Sequence, residues 1–217
     1  AILGDRIRMT AALDDEDVFV RSLAAQGHLG GLSPAAVRVI DALDAAKFGV
    51  ILVETVGTGQ NEIDIAEVAD LRIVVAAPGL GDGIQAMKAG LLEIADVLVV
   101  NKADREGAEH TLQQLASALG LRAEQRAVPL LKTVAVSGVG VDALAKLVTE
   151  ARSGIAAVPA IERRRRRARY VIAQAAADLL SKRIRDDRGR DLARLSDAVL
   201  SGALSVDDAA RSLIGEG

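Results

Sequence analysis

Four consecutive residues, Asn101-Lys102-Ala103-Asp104, carry the most specific chemistry in this 217-residue sequence. A carboxylate at Asp104 can accept two hydrogen bonds at once, from the ring N–H and the exocyclic amine of guanine, whereas adenine offers no such pair of donors. Lys102 can lie over the face of a base, and Asn101 can tie neighbouring loops together. A second acidic group, Glu54, closes the apolar run GVILVET at 49–55, and Gly57 follows it within ETVGTGQ at 54–60. A third stretch, KTVAVSGVG at 132–140, stands where a loop could close over a base through backbone amides at Thr133 to Ala135.

Asn101, Lys102 and Asp104 match the N-K-x-D element of guanine-nucleotide-binding proteins. In the plan of those proteins an acidic residue at a strand end orients the magnesium shell, and the amide of the following glycine meets the γ-phosphate. Glu54 and Gly57 fall in those places, with ETVG about 45 residues before NKAD. The order and spacing of the three elements together predict a nucleotide site for GTP or GDP with Mg2+. No G-x-x-x-x-G-K-[ST] phosphate loop occurs in the sequence. The glycine-rich stretches GHLGGLS, VGTGQ and PGLGDG lack the lysine and hydroxyl that such a loop places on phosphate and magnesium. Its natural place is upstream of Ala1, so the sequence reads as a GTPase domain incomplete at its N-terminus.

These residues need a scaffold that brings loop ends together. GVILVET, LRIVVAA at 71–77, ADVLVVN at 95–101 and LLKTVAV at 130–136 are short, continuously apolar runs, which suit parallel strands buried on both faces. Helical patterns alternate with them. Residues 34–47 space Val37, Ile40, Leu43 and Ala46 on one face behind Ser33 as N-cap and Pro34 at the first helical position. GIQAMKAGLLEI, EHTLQQLASALG and GVDALAKLVTEAR follow. The expectation is an α/β fold: a doubly wound, mainly parallel sheet of the P-loop NTPase type with a C-terminal helical extension. Residues 1–155 form the partial nucleotide domain, Ala156 to Pro159 a linker, and 160–217 a long helix and two shorter ones that break near Gly202.

Half of the residues are apolar, but only Phe19, Phe48 and Tyr170 are aromatic, so the core must be built from Val, Leu, Ile and Ala. The absence of cysteine excludes disulfides, thiolate zinc sites and cysteine nucleophiles. No apolar run approaches the ~18 residues of a membrane helix, and no signal peptide opens the chain, which leads to the expectation of a cytoplasmic protein. The net charge of −3 is uneven: residues 160–217 hold 13 Lys+Arg and 9 Asp+Glu, and the remainder 14 and 21. The run Arg163–Arg167 reads as a solvated or partner-facing helix rather than a nucleic-acid arm, because acidic residues and a helical pattern accompany it.

The segments ILGDRIRM, GHLGG, LVETVGTGQNE and PGLGDGIQAMKAGLLEIADVLVVNKAD, with the arginine-rich helix, resemble the methylmalonyl-CoA mutase-associated GTPases, the MeaB/ArgK group, over essentially the whole chain. The resemblance implies a GTPase of the SIMIBI class that chaperones an adenosylcobalamin-dependent acyl-CoA mutase and forms a homodimer, with residues 160–217 as the dimerisation region. It implies Asp5 and Glu54 as magnesium-shell carboxylates, Gln60 as a water-positioning residue with Glu54 in catalysis, and Gln85 and Lys88 in a mobile signalling segment. It implies Gly57, Asn101, Lys102, Asp104, Thr133 and Ala135 as the nucleotide contacts. Two other readings stand beside it. One is a mutase-binding or dimerisation module without hydrolysis. The other is a metallocentre-assembly GTPase, which the absent cysteines and the two scattered histidines (His28 and His110) disfavour.

Overall fold

A computed structural model of the chain describes residues 15–23, 32, 34–55, 64–79, 89–120, 127–186 and 190–215. The elements, in chain order, are α1 (Pro34–Ala45), α2 (Ile65–Val68), β1 (Ile73–Ala76), α3 (Ala89–Ile94), β2 (Val97–Val100), α4 (Ala108–Gly120), β3 (Leu130–Lys132), α5 (Val141–Ala156), α6 (Ala160–Asp186), α7 (Arg190–Leu200) and α8 (Val206–Ile214). The chain divides into two compact units, Ala1–Arg167 and Ala168–Gly217.

In the first unit the described strands form one parallel sheet in the order β1-β2-β3, with Ile73 beside Val97 and Leu98 beside Leu130. The alternation of sheets and helices expected from the apolar runs is present, and the fold is α/β. Every residue of β2 is buried. Leu98 and Val100 face a cluster that holds Ala76, Leu92 of α3, and Ala108 and Leu115 of α4. Val97 and Val99 point to the other face and are just as enclosed. A strand covered on both sides has no polar alternate positions, which is why the sequence reads as VLVV.

The run 49–55 does not join this sheet. Residues 50–55 carry no strand, and Leu52 is 84% exposed. An apolar, β-branched run signals what a strand would bury, but a strand exists only as half of a hydrogen-bonded ladder. None of the described residues supplies that ladder. The strand expected over 130–136 stops at Lys132, and Val134 instead pairs antiparallel with Val139. Two glycines with positive φ, Gly138 and Gly140, fold the chain back on itself there and end the run. The expected linker is a tight turn in which the amides of Ala157 and Val158 bond back to the Gly154 and Ile155 carbonyls. The short α2 carried no sequence signal long enough to show a helical period. Of the helix expected over 83–94, the described part is Ala89–Ile94. Ser33 lies outside the described residues.

One buried ion pair fixes the entry to the sheet. Asp96 accepts from the Arg72 backbone amide at 2.9 Å, from Nε at 2.7 Å and from Nη2 at 3.0 Å. The bond to Asp96 holds the Arg72 guanidinium above its ordinary value, burial opposing it. The Asp96 side chain is 4% exposed and Arg72 27%. Removing one partner of such a pair strands the other. Asp96→Ala is expected to cost about 3–5 kcal/mol, measured as a lowered urea midpoint. Lys146→Ala, which breaks an exposed 3.9 Å pair with Glu150, should shift it by less than about 0.5 kcal/mol.

The arginine run is less solvated than its charge suggests. Helical spacing puts Arg163, Arg166 and Arg167 on one side, and all three meet carboxylates, of Asp70 for the first two and of Asp41 and Asp44 for the third. Arg164 and Arg165 face outward.

In the second unit α7 and α8 form a helical hairpin, which turns at Gly202 with φ 75°. Ser205 caps α8 by accepting from the Asp208 amide at 3.1 Å. Of the residues in this unit, Tyr170 and Leu195 are buried, while Ile172 and Leu179 are exposed.

Candidate functional site

The NKAD loop begins where β2 stops, and three backbone bonds place it. The Asn101 amide donates to Ala76 O at 2.8 Å, Thr133 N to Val100 O at 2.9 Å, and Ala103 N to Thr133 O at 3.0 Å. The chain ends of β1, β2 and β3 therefore meet at the carboxyl edge of the parallel sheet, where ligands of open α/β folds bind.

The Asn101 side chain occupies the centre of this meeting point. Its Oδ1 accepts from Thr133 Oγ1 at 3.2 Å and from the Ala135 amide at 3.1 Å. Both lone pairs of that oxygen are used, so the carboxamide is locked in one orientation. Thr133 is buried, so its hydroxyl acts from inside the protein. Lys102 next to it adopts φ 56°, a left-handed conformation rare outside glycine. Such a backbone costs about 1–2 kcal/mol and persists where the surroundings impose it, most often at ligand sites. Lys102 and Asp104 are exposed, one and three residues along the chain from a fixed anchor. The turn closes with Arg105 N on Lys102 O at 3.0 Å, and Gly107 at φ 86° leads into α4.

The amides of the following loop are already committed. Thr133 N goes to Val100 O, Val134 N to Val139 O at 2.8 Å and Ala135 N to Asn101 Oδ1. The Ala135 amide reaches a base only by exchanging Asn101 for it. Sequence reasoning did not find Ala76, whose carbonyl holds Asn101, or Gly140, which the loop requires. Gly140 was visible as a turn glycine, but its packing partner was not. Lys132 and Glu109 tie β3 to α4 at 2.6 Å, an exposed pair that adds little stability.

Glu54 is exposed, and among the described residues no hydrogen bond or ion pair joins it to the Asn101 cluster. Among the described residues no group of three or more His, Cys, Asp or Glu is placed to hold a metal ion. Asp5, Gly57, Gln60, Gln85, Lys88 and His28 lie outside the described residues. No described helix is long and apolar enough to cross a membrane.

Because Asn101 Oδ1 holds Thr133 and Ala135, Asn101→Ala is expected to release the loop. Exchange of the Ala135 amide should rise about tenfold or more by hydrogen-exchange NMR, with β2 unchanged.

Comparisons with known proteins bear on the family and the fold. The family model described as "Methylmalonyl Co-A mutase-associated GTPase MeaB" matches residues 1–188. A Pyrococcus horikoshii protein bearing the name "Putative GTPase PH0274" is 50% identical over 155 residues, 69% of this chain and 49% of that protein. The Escherichia coli "GTPase ArgK" is 42% identical over 111 residues, 51% of this chain and 33% of its own length. The "Fused isobutyryl-CoA mutase" of Cupriavidus metallidurans is 38% identical over 125 residues, 58% of this chain and 11% of that one. The crystal structure of an "LAO/AO transport system kinase" superposes with a TM-score of 0.66 at 24% identity, over 83% of this chain and 61% of the other, a likeness of fold. The chain spans about half the length of the first curated relatives it matches. With the match extending over residues 1–188, the chain belongs to the family of methylmalonyl-CoA mutase-associated GTPases, MeaB.

Proposed function

We propose that this chain carries the guanine-reading part of a GTP-binding and GTP-hydrolysing protein that chaperones an adenosylcobalamin-dependent acyl-CoA mutase. The observation that carries the reading is the Asn101 carboxamide, fixed by Thr133 Oγ1 and Ala135 N, with the exposed Asp104 carboxylate three residues on. Asp104 selects guanine, Lys102 covers the base, and Asn101 keeps the two loops in register, with Thr133 and Ala135 as its partners. Mutase service is supported by the name of the family and by the fused mutase that contains a related stretch.

Magnesium keeps most of its waters and takes one or two carboxylates together with phosphate oxygens. A single exposed Glu54 fits that habit, with Asp5 as the second carboxylate, and the ion would neutralise charge on the phosphates. Gly57 would donate to phosphate and Gln60 would position water, while Gln85 and Lys88 would answer the nucleotide state. These 217 residues hold no phosphate-loop lysine, so this polypeptide by itself should show no GTP turnover above background. A homodimer is the proposed assembly. It is supported by Ile172 and Leu179, seven residues apart on α6 and 68% and 69% exposed.

Titration of the chain with fluorescent GDP and ADP tests the reading. GDP should bind more tightly, and Asp104→Ala should remove the difference. Equal binding of the two nucleotides by the native chain would refute it.

A further inference from the structure

The three inward arginines of α6 are not held alike. Arg167, 3% exposed, uses its fork fully: Nε donates to Asp41 Oδ1 at 2.8 Å and Nη2 to Asp44 Oδ2 at 3.1 Å, both on α1. Arg166 spends a single nitrogen on two acceptors, Asp70 Oδ1 at 2.5 Å and the Ala69 carbonyl at 3.2 Å. Its Nε is buried with no hydrogen-bond partner. Arg163 stands 3.7 Å from Asp70 Oδ2, beyond hydrogen-bonding distance, and gives Nη1 to the Val158 carbonyl at 2.8 Å.

A guanidinium matches a carboxylate best through two parallel N–H groups, as Arg72 does with Asp96. A buried N–H without an acceptor is costly. The Asp70 contact is therefore incomplete. A second arrangement, with Asp70 turned side-on to Arg166, would fill the idle Nε.

We infer that Asp70 is a two-position latch between the end of α2 and the first turns of α6. Ala69, the C-cap of α2, offers its carbonyl to the same Arg166, so a shift of α2 moves both acceptors together. The Arg167 pairs to α1 are the fixed post, and the Asp70 contacts are the adjustable one. Coupling between two segments needs an element with two discrete arrangements, and the unfilled donor of Arg166 provides it. Asp70 follows Glu54 by 16 residues, and, resting on the function proposed above, nucleotide state is the input that sets the latch.

Amide hydrogen exchange on the native chain and on Asp70→Asn, without nucleotide, decides the latch. The variant should exchange about tenfold faster at both 66–70 and 161–166, with Val97–Val100 unchanged. Arg166→Lys keeps the charge, loses the fork, and should show the same two-sided pattern. Acceleration on one side only would overturn the latch. Loss of protection that includes Val97–Val100 would also overturn it, by making Asp70 a general structural pin. Saturating GDP should alter exchange at 161–166 in the native chain and not in Asp70→Asn, and an equal response in both would overturn it as well. A native chain that binds no GDP would refute the proposed function, and the nucleotide-free comparison would still decide the latch.

Discussion

Asp104→Asn is expected to move the preference of the site from guanine to xanthine. The carboxylate can accept from two N–H groups of guanine, and an Asn carboxamide keeps one acceptor but presents an NH2 where guanine presents its own amine. Two charge-assisted hydrogen bonds become one neutral bond and one clash of donors. Each charged hydrogen bond is worth roughly 1.5–3 kcal/mol, so GDP affinity should fall by about 10^2- to 10^4-fold. Xanthine carries a carbonyl in place of the amine, so the variant regains a matched pair and should bind XDP better than GDP. The fixed Asn101 matters here, since specificity at Asp104 relies on a loop that does not drift. Competition of XDP and GDP against a fluorescent guanine nucleotide reads both affinities. A variant that loses both nucleotides equally, or neither, would show that Asp104 does not read the base edge.

Gly140→Ala should be the most damaging conservative change in the loop. Gly140 has φ +77°, and a Cβ there would lie 2.1 Å from the Lys132 carbonyl oxygen and 3.3 Å from Thr133 Cα. Both are backbone atoms at the end of β3, so no side chain can swing away. The strained φ alone costs about 1–2 kcal/mol, and the overlap must be relieved by parting the loop from the strand, for a total of roughly 3 kcal/mol or more. Displacing Thr133 also breaks its bond to Asn101, so guanine affinity should fall with stability. Gly138→Ala is the control: φ is +78°, but nothing lies within 4 Å of its Cβ position. It should lose only the strain, about 1 kcal/mol. Equal shifts of the urea midpoint for the two variants would contradict the packing argument.

What could be read from the sequence was whatever depends on neighbours along the chain. The runs around 73–76, 97–100 and 130–132 announce parallel strands, and the helices between them carry their period openly, but burial on both faces holds for β2 alone: Val75 of β1 is 58% exposed and β3 ends on an exposed Lys132. NKAD could be read because the loop is contiguous and its chemistry resides in residue type. The run at 49–55 misled because apolar character records burial, while pairing depends on a partner strand that no local pattern names. The arginine run misled in the opposite direction. Five charges in a row suggest a solvated face, and only the fold brings Asp41, Asp44 and Asp70 opposite three of them. The occupied Ala135 amide was hidden for the same reason, since its acceptor is 34 residues away in sequence.

With no tryptophan and one tyrosine in the sequence, Tyr170 is the sole intrinsic fluorophore of note; it belongs to the second unit and is buried. Its emission reports on the surroundings of this one residue, while far-ultraviolet circular dichroism averages over all the helices and the sheet. Melts followed by the two signals need no label. Coincident curves would mean that the chain unfolds as one cooperative body, and separated curves would mean that the surroundings of Tyr170 melt apart from the rest.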